Sequence, residues 1–342
     1  MWRKTARARR RLSAGLYRRD LAKARRGVHH GRAMPSVSYV VTIYNKAPAL
    51  PFLVAGLGAQ EGDFDREFIF IDDGSTDNSV ETLRRLTAGW RDVTIASQAN
   101  AGPAVALNAG FRRARGDYVK PMDADDLLLP HATDRLIAAI ETTGCAVAYG
   151  SFAAPYDIDG SPRAALSAHL GAPGRVERQD DILRRSLVRA QTNPSAWLAR
   201  AQAVSAGGGC DERIFIQDYS IELRLAVQGP FARLHEPTFA SPTELPGRLS
   251  DNQAQILHDI NLALAYFVAE RPDLPRHLAR LGFVRAATRA WAWARRRGGK
   301  GFSSAEFRRV CGARLGLLAP SAANLHATCK VFTETNSLRL AT

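Results

Sequence analysis

Cysteine is scarce in this chain of 342 residues: four thiols, Cys145, Cys210, Cys311 and Cys329, lie far apart. Their spacing matches neither a zinc knuckle nor a dense disulfide framework, so reduced thiols in a cytoplasm are expected. Long apolar runs are missing too. None approaches the roughly 20 residues that cross a bilayer, and the basic N-terminus lacks the hydrophobic centre of a signal peptide. Neither a spanning segment nor export by that route is expected.

Acidic residues are nearly absent from both ends. Residues 1–33 hold 12 Lys/Arg against Asp20 alone, a net of +11, and residues 271–314 hold 12 against Asp273 and Glu306, a net of +10. The middle, 34–270, carries 21 basic and 29 acidic residues, a net of −8, although the whole chain is at +14. A nucleic-acid-binding protein would interleave its basic residues with a stacking platform or a recognition helix. Basic ends on a mildly acidic body argue against nucleic acid as a partner and suit peripheral contact with an anionic membrane, at its inner face.

The body, 46% hydrophobic in a chain with ample length for a core, alternates strand and helix patterns. Val37–Tyr44, Glu67–Asp72, Val93–Ala96, Asp117–Met122 and Ala146–Ser151 read as strands, with helical segments between them. Such alternation predicts an α/β fold with a mainly parallel sheet covered by helices on both faces. Beyond Ser151 the alternation weakens. A helix is expected around Asp180–Arg189, a strand over Asn193–Ala199, and helices from Asn252 to about Ala269 and over Pro275–Arg297. The last carries Leu274, Leu278, Leu281, Val284, Trp291 and Ala294 as a sliding stripe, read as packing on a core. Three units follow: a basic N-terminal arm (1–34), an α/β domain (35–250, with halves 35–151 and 152–250) and a C-terminal helical extension (251–342).

Ligands of open α/β sheets sit beyond the carboxyl ends of the strands, where Tyr44, Asp72, Asp73 and Asp123–Asp126 fall. Asp123, Asp125 and Asp126 repel one another unless a cation or a hydrogen-bonding turn stabilises them, and hard carboxylate ligands suit Mn²⁺ or Mg²⁺. A polar turn is the structural alternative. For Tyr44 it is a strand-end core aromatic, for Asp218 a helix N-cap, and for Lys120 a head group placed either at a diphosphate or at the sheet end.

Several segments in register bear a family likeness. They are Val37–Lys46, Ile71-Asp-Asp-Gly-Ser-Thr-Asp77, Asn100-Ala-Gly102 with Asn108-Ala-Gly110, Gly116-Asp-Tyr-Val119, Asp123-Ala-Asp-Asp126, and Gly208-Gly-Cys-Asp-Glu212 followed by Gln217-Asp218. Across about 37–227 they resemble the inverting glycosyltransferases of family 2, which have the GT-A fold. The resemblance implies that Asp125 binds the metal, that Asp123 contacts the ribose, and that Tyr44 stacks on the base beside Thr42. It also implies that Asp73 hydrogen-bonds the base edge and that Asp218 is the catalytic base. The donor is then a nucleotide sugar, expected to be a UDP-sugar, and the acceptor a saccharide or lipid-linked hydroxyl.

Gln217 stands where the family has Glu. No Q-x-x-R-W follows Asp218, which argues against a processive synthase. A sugar-phosphate nucleotidyltransferase would carry a Gly-rich, Arg/Lys-bearing loop after the first strand, and Tyr44-Asn-Lys-Ala-Pro48 is not one. Arg248-Leu-Ser250 is a candidate border of the acceptor or phosphate site, whereas His235 and the His29-His30 pair lack partners at metal spacing.

Overall fold

A computed structural model describes residues 34–167, 174–245, 251–333 and 338–339. The basic arm, His29-His30 and Arg248-Leu-Ser250 lie outside the described residues. The frame is a nine-stranded mixed sheet. Its strands are β1 (Ser36–Ile43), β2 (Asp65–Asp72), β3 (Val93–Ser97), β4 (Tyr118–Asp123), β5 (Leu127–Leu128), β6 (Val147–Phe152), β7 (Val176–Gln179), β8 (Trp197–Arg200) and β9 (Phe231–Ala240). They lie in the order β3-β2-β1-β4-β8-β6-β9-β5, with β7 paired to β9.

The strands β3, β2, β1 and β4 are mutually parallel, and β8 runs antiparallel between β4 and β6. Successive β1 side chains serve opposite core layers, as the pleat requires. Val37, Tyr39, Val41 and Ile43 pack with Leu50, Leu53, Leu83 and Leu136 on one face, and Val40 packs with Leu107, Ile221 and Leu225 on the other. Burial on both faces explains why β1 and β2 read as continuous Val/Ile/Phe runs.

Two expectations shift in detail. Pro194–Ala196 is a 3-10 turn, and the strand expected from Asn193 starts only at Trp197. Proline has no N–H to give a ladder. In helix Arg276–Gly298 the buried face is made mostly of small residues, Ala279, Gly282, Ala286, Ala287, Ala290 and Ala294, with Phe283 and Trp293. Of the expected stripe, Ala294 is buried with that face, whereas Leu274, Leu278, Leu281, Val284 and Trp291 flank it and are only partly buried. The helix does pack on a core, but through close approach along alanines.

The C-terminal helices matter to the site because they back the helix Asp218–Ala226. Tyr219 and Leu223 of that helix share one apolar cluster with Leu264, Phe267, Phe283 and Val310. Asp259, in helix Gln253–Glu270, accepts a hydrogen bond from the Ile216 N–H at 2.9 Å, two residues before Asp218.

Candidate active site

The sheet register brings several of the expected site residues together. Thr42 lies opposite Asp123 across the β1/β4 ladder, and Ile43 lies opposite Asp72 across β1/β2. Tyr44 therefore emerges one residue past the end of β1, and its side chain is 38% exposed. That excludes the core-aromatic alternative. Asn45 follows in the left-handed region at φ 52°, and its Oδ1 accepts from the Thr76 and Asp77 N–H groups at 2.8 and 3.2 Å. The loops after β1 and β2 are thus one structure. Gly74 has φ +76° there, and a Cβ on it would come within 2.9 Å of the Asn100 backbone nitrogen, which is why glycine follows the paired aspartates.

Asp73 is buried and organises the next loop. Its Oδ1 accepts from Gln98 Nε2 at 2.8 Å and the Ala101 N–H at 2.9 Å, and its Oδ2 from the Gly102 N–H at 2.9 Å. A carboxylate offers about four acceptor positions, and these three donors fill both positions on Oδ1 and one on Oδ2. The loop in turn reaches the 152–250 half: a Cβ on Gly102 would lie 3.1 Å from the Phe215 ring. Asn108 makes the same bridge, donating to the Cys210 carbonyl at 3.0 Å and to Glu212 at 2.8 Å.

The acidic cluster follows β4. Asp125 Oδ2 is 2.8 Å from the Lys46 ammonium, and the Tyr156 hydroxyl donates to the Asp125 carbonyl at 2.8 Å. Asp126 is buried and accepts from the Ser241 hydroxyl. Burial holds the Asp123 carboxyl well above its usual range, and the Asp218, Asp126 and Asp125 carboxylates add to the effect while Lys46 opposes it. Asp123, Asp125, Asp126 and Asp218 thus bring four carboxyl groups into one field against the ammonium groups of Lys46 and Lys120, an excess of acids that keeps a proton on Asp123 unless a cation is supplied.

That excess fits a dication. Among the described residues no three His, Cys, Asp or Glu side chains form a closed metal cage. A hard cation shared with a diphosphate needs none, because one or two carboxylates and the phosphate oxygens suffice. Asp125, with Asp123 beside it, suits Mn²⁺ or Mg²⁺ in that open arrangement.

Lys120 does not reach this space. It is fully buried, and its ammonium donates to the carbonyls of Pro121 at 2.9 Å and Ser195 at 2.8 Å. Burial lowers its pKa to about 7, against the pull of Asp126 and Asp123. The Ser195 hydroxyl accepts from the Asp123 N–H at 3.1 Å, so Lys120 and Ser195 fix the backbone that carries the acids. Neither Lys46 nor Ser195 was assigned a role from sequence, and only Lys120's unusual place in an apolar strand signalled this bracing.

Asp218 is the first residue of helix Asp218–Ala226, while Gln217 holds the N-cap position and no side-chain cap bond forms. The capping alternative for Asp218 is thereby removed. Burial pushes its carboxyl up to about 7, with Glu222 next in effect and Asp126 contributing, against its own backbone N–H, which favours the anion. Asp218 thus shares one electrostatic field with the acids at the end of β4. Glu222, one turn on, is engaged elsewhere: it accepts from the N–H groups of Gln191 and Thr192 and from the Thr192 hydroxyl. Gln217 is 4% exposed, and its Oε1 has no hydrogen-bond partner among the described residues. His235 pairs with Glu177 at 2.7 Å, away from these groups.

Residues 38–193 match the model of glycosyl transferase family 2. Among curated relatives, an undecaprenyl-phosphate 4-deoxy-4-formamido-L-arabinose transferase of Aeromonas hydrophila is 37% identical over 107 residues, 30% of this chain and 33% of that protein. The namesake in Pseudomonas aeruginosa is 34% identical over 155 residues, 44% of this chain and 38% of its own length. The match thus spans about a third of these relatives. Among solved structures, S. aureus TarS in complex with UDP-GlcNAc superposes with TM-score 0.60 at 15% identity, covering 89% of this chain and 93% of that one. The mannosyltransferase PcManGT of Pyrobaculum calidifontis, in complex with GDP-Man and Mn²⁺, gives 0.51 at 18% identity, covering 94% and 93%. Over residues 38–193 the chain is thus similar to the family 2 glycosyltransferases, and its sheet with flanking helices has the GT-A fold of the structures it superposes on.

Proposed function

We propose that this chain moves one sugar per encounter from a UDP-sugar to an acceptor hydroxyl, with inversion at the anomeric carbon, in the synthesis of a lipid-linked saccharide or a cell-envelope glycan. The observation that carries the reading is the shared electrostatic field of Asp218 and the Asp123–Asp126 cluster at the carboxyl edge of the sheet. A base and a diphosphate site in one field are what displacement at an anomeric carbon needs. Tyr44 stacks on the base with Thr42 beside it, Asp73 accepts from the base edge, and Asp123 contacts the ribose. A divalent cation on Asp125 would supply Lewis-acid neutralisation of the leaving diphosphate. Asp218 takes the acceptor O–H proton as that oxygen bonds to the anomeric carbon and the bond to the diphosphate breaks.

The uridine preference rests on Tyr44 and on Asp73, which pairs with an imide N–H. TarS binds UDP-GlcNAc and PcManGT binds GDP-Man, so the fold accommodates more than one base. The lipid-linked acceptor draws support from the relatives named for undecaprenyl phosphate. Peripheral contact with an anionic inner membrane face fits the exposed Arg295, Arg296, Arg297 and Arg308 and the 68% exposed Phe302. No helix among the described residues is long and apolar enough to cross a membrane. Incubation with UDP-sugars and a polyprenyl-linked acceptor, followed by NMR of the product, tests the reading. An anomeric configuration opposite to the donor's is expected, and a retained one contradicts it.

A further inference from the structure

We propose that Lys46 is an internal counter-ion of the cation site, so that a dication binds Asp125 tightly only when a nucleotide diphosphate gives Lys46 another partner. The inference rests on the donor-site reading above and adds a binding order to it. The Lys46 ammonium lies 2.8 Å from Asp125 Oδ2, and the two side chains are 17% and 11% exposed. The lysine does not reach in from a loose surface loop. Its N–H donates to the Ser79 hydroxyl at 2.9 Å, its carbonyl accepts from the Ala49 N–H at 2.9 Å, and the neighbouring Ala47 N–H donates to Asp77 at 3.2 Å. The loop that presents Tyr44 to the base therefore also presents an ammonium to the metal-ligand carboxylate.

The electrostatics set up a competition. An ammonium and a dication on one carboxylate repel each other strongly where water is largely excluded. A diphosphate resolves the conflict, because its oxygens ligate a hard dication and also accept from a lysine. Nucleotide and metal then raise each other's affinity, and the coupling is reciprocal by linkage. A site built this way discriminates against free metal and favours the metal–nucleotide complex.

The test is a Mn²⁺ titration of the full chain, read by the electron paramagnetic resonance of free Mn²⁺, with and without UDP. The proteins are the parent, Lys46→Met, Lys46→Gln, Asp125→Asn and the Lys46→Met/Asp125→Asn double variant, each checked by melting temperature. Without UDP, Lys46→Met and Lys46→Gln should bind Mn²⁺ more tightly than the parent, by roughly the 5- to 150-fold typical of such couplings. The enhancement by UDP should shrink by a similar factor, and Lys46→Met should change nothing in the Asp125→Asn background. Unchanged or weaker Mn²⁺ binding by both Lys46 variants in the absence of UDP overturns the proposal alone. If the parent takes up no Mn²⁺ even with saturating UDP, the cation reading of the donor site falls, and this proposal falls with it. UDP binding that survives chelator in the parent and is lost in Lys46→Met would make the lysine a replacement for metal and overturn the competition.

Discussion

Glu222 and Thr192 are joined twice: Glu222 Oε2 accepts from the Thr192 N–H at 2.8 Å and from its hydroxyl at 3.1 Å. Together with the Gln191 N–H, which meets both Glu222 oxygens at 2.9 and 3.0 Å, this ties the loop before the Pro194–Ala196 turn to the helix that begins with Asp218. Two carboxylates one helical turn apart thereby have different duties. Glu222→Gln should destabilise the fold by about 1–3 kcal/mol, because an amide cannot accept all of those donors, with turnover per folded molecule within a few fold of the parent. Asp218→Asn should lower turnover by about 10²–10⁴-fold with no loss of melting temperature. Parental turnover in Asp218→Asn, measured beside melting curves of both variants, would move the base elsewhere.

The raised Asp218 carboxyl makes two pH predictions. The base must be ionised, so kcat/KM should fall as pH drops below about 7. Removing the Glu222 charge should move that limb to lower pH, which the pH profile of Glu222→Gln measures.

For stability the sign is opposite to that of an ion-paired aspartate. Between the ordinary value of 3.8 and about 7 the folded state keeps a proton that the unfolded chain has released, so this group's contribution falls as pH rises through that window and levels off above it. Asp218→Asn should therefore melt above the parent at pH 8, with the gap closing toward pH 4. A gap that widens on acidification would contradict the assignment.

Tyr44→Ala should weaken nucleotide binding by about 1–3 kcal/mol, the usual worth of base–aromatic stacking. Since the ring is 38% exposed, the fold should change by no more than about 0.5 kcal/mol. Calorimetric titration with UDP beside a melting curve checks both halves, and unchanged affinity would place the base away from this ring.

What could be read from sequence was whatever is encoded within one element. The β1 and β2 strands are unbroken apolar runs, and the residues that end them, Tyr44, Asp72 and Asp73, are marked by the change to polar turn residues. Asp123, Asp125 and Asp126 are conspicuous because nothing in an apolar strand explains them. Partnerships between elements were not legible. Lys46 meets Asp125 across 79 residues, and Ser195 meets Asp123 across 72. No local pattern distinguishes these residues from any other lysine in a loop or serine in a turn. The small-residue face of Arg276–Gly298 was missed because periodicity weights large apolar side chains, whereas close helix approach selects alanine and glycine.

The central claim is that the carboxyl edge of the sheet binds a uridine diphosphate through a cation on Asp125. Calorimetric titration of UDP into the parent and Asp125→Ala, each with Mn²⁺ and with chelator, tests it most directly. The account predicts binding by the parent that depends on Mn²⁺ and is lost in Asp125→Ala, with the variant's melting temperature close to the parent's. UDP affinity in Asp125→Ala equal to the parent's in Mn²⁺ would contradict it.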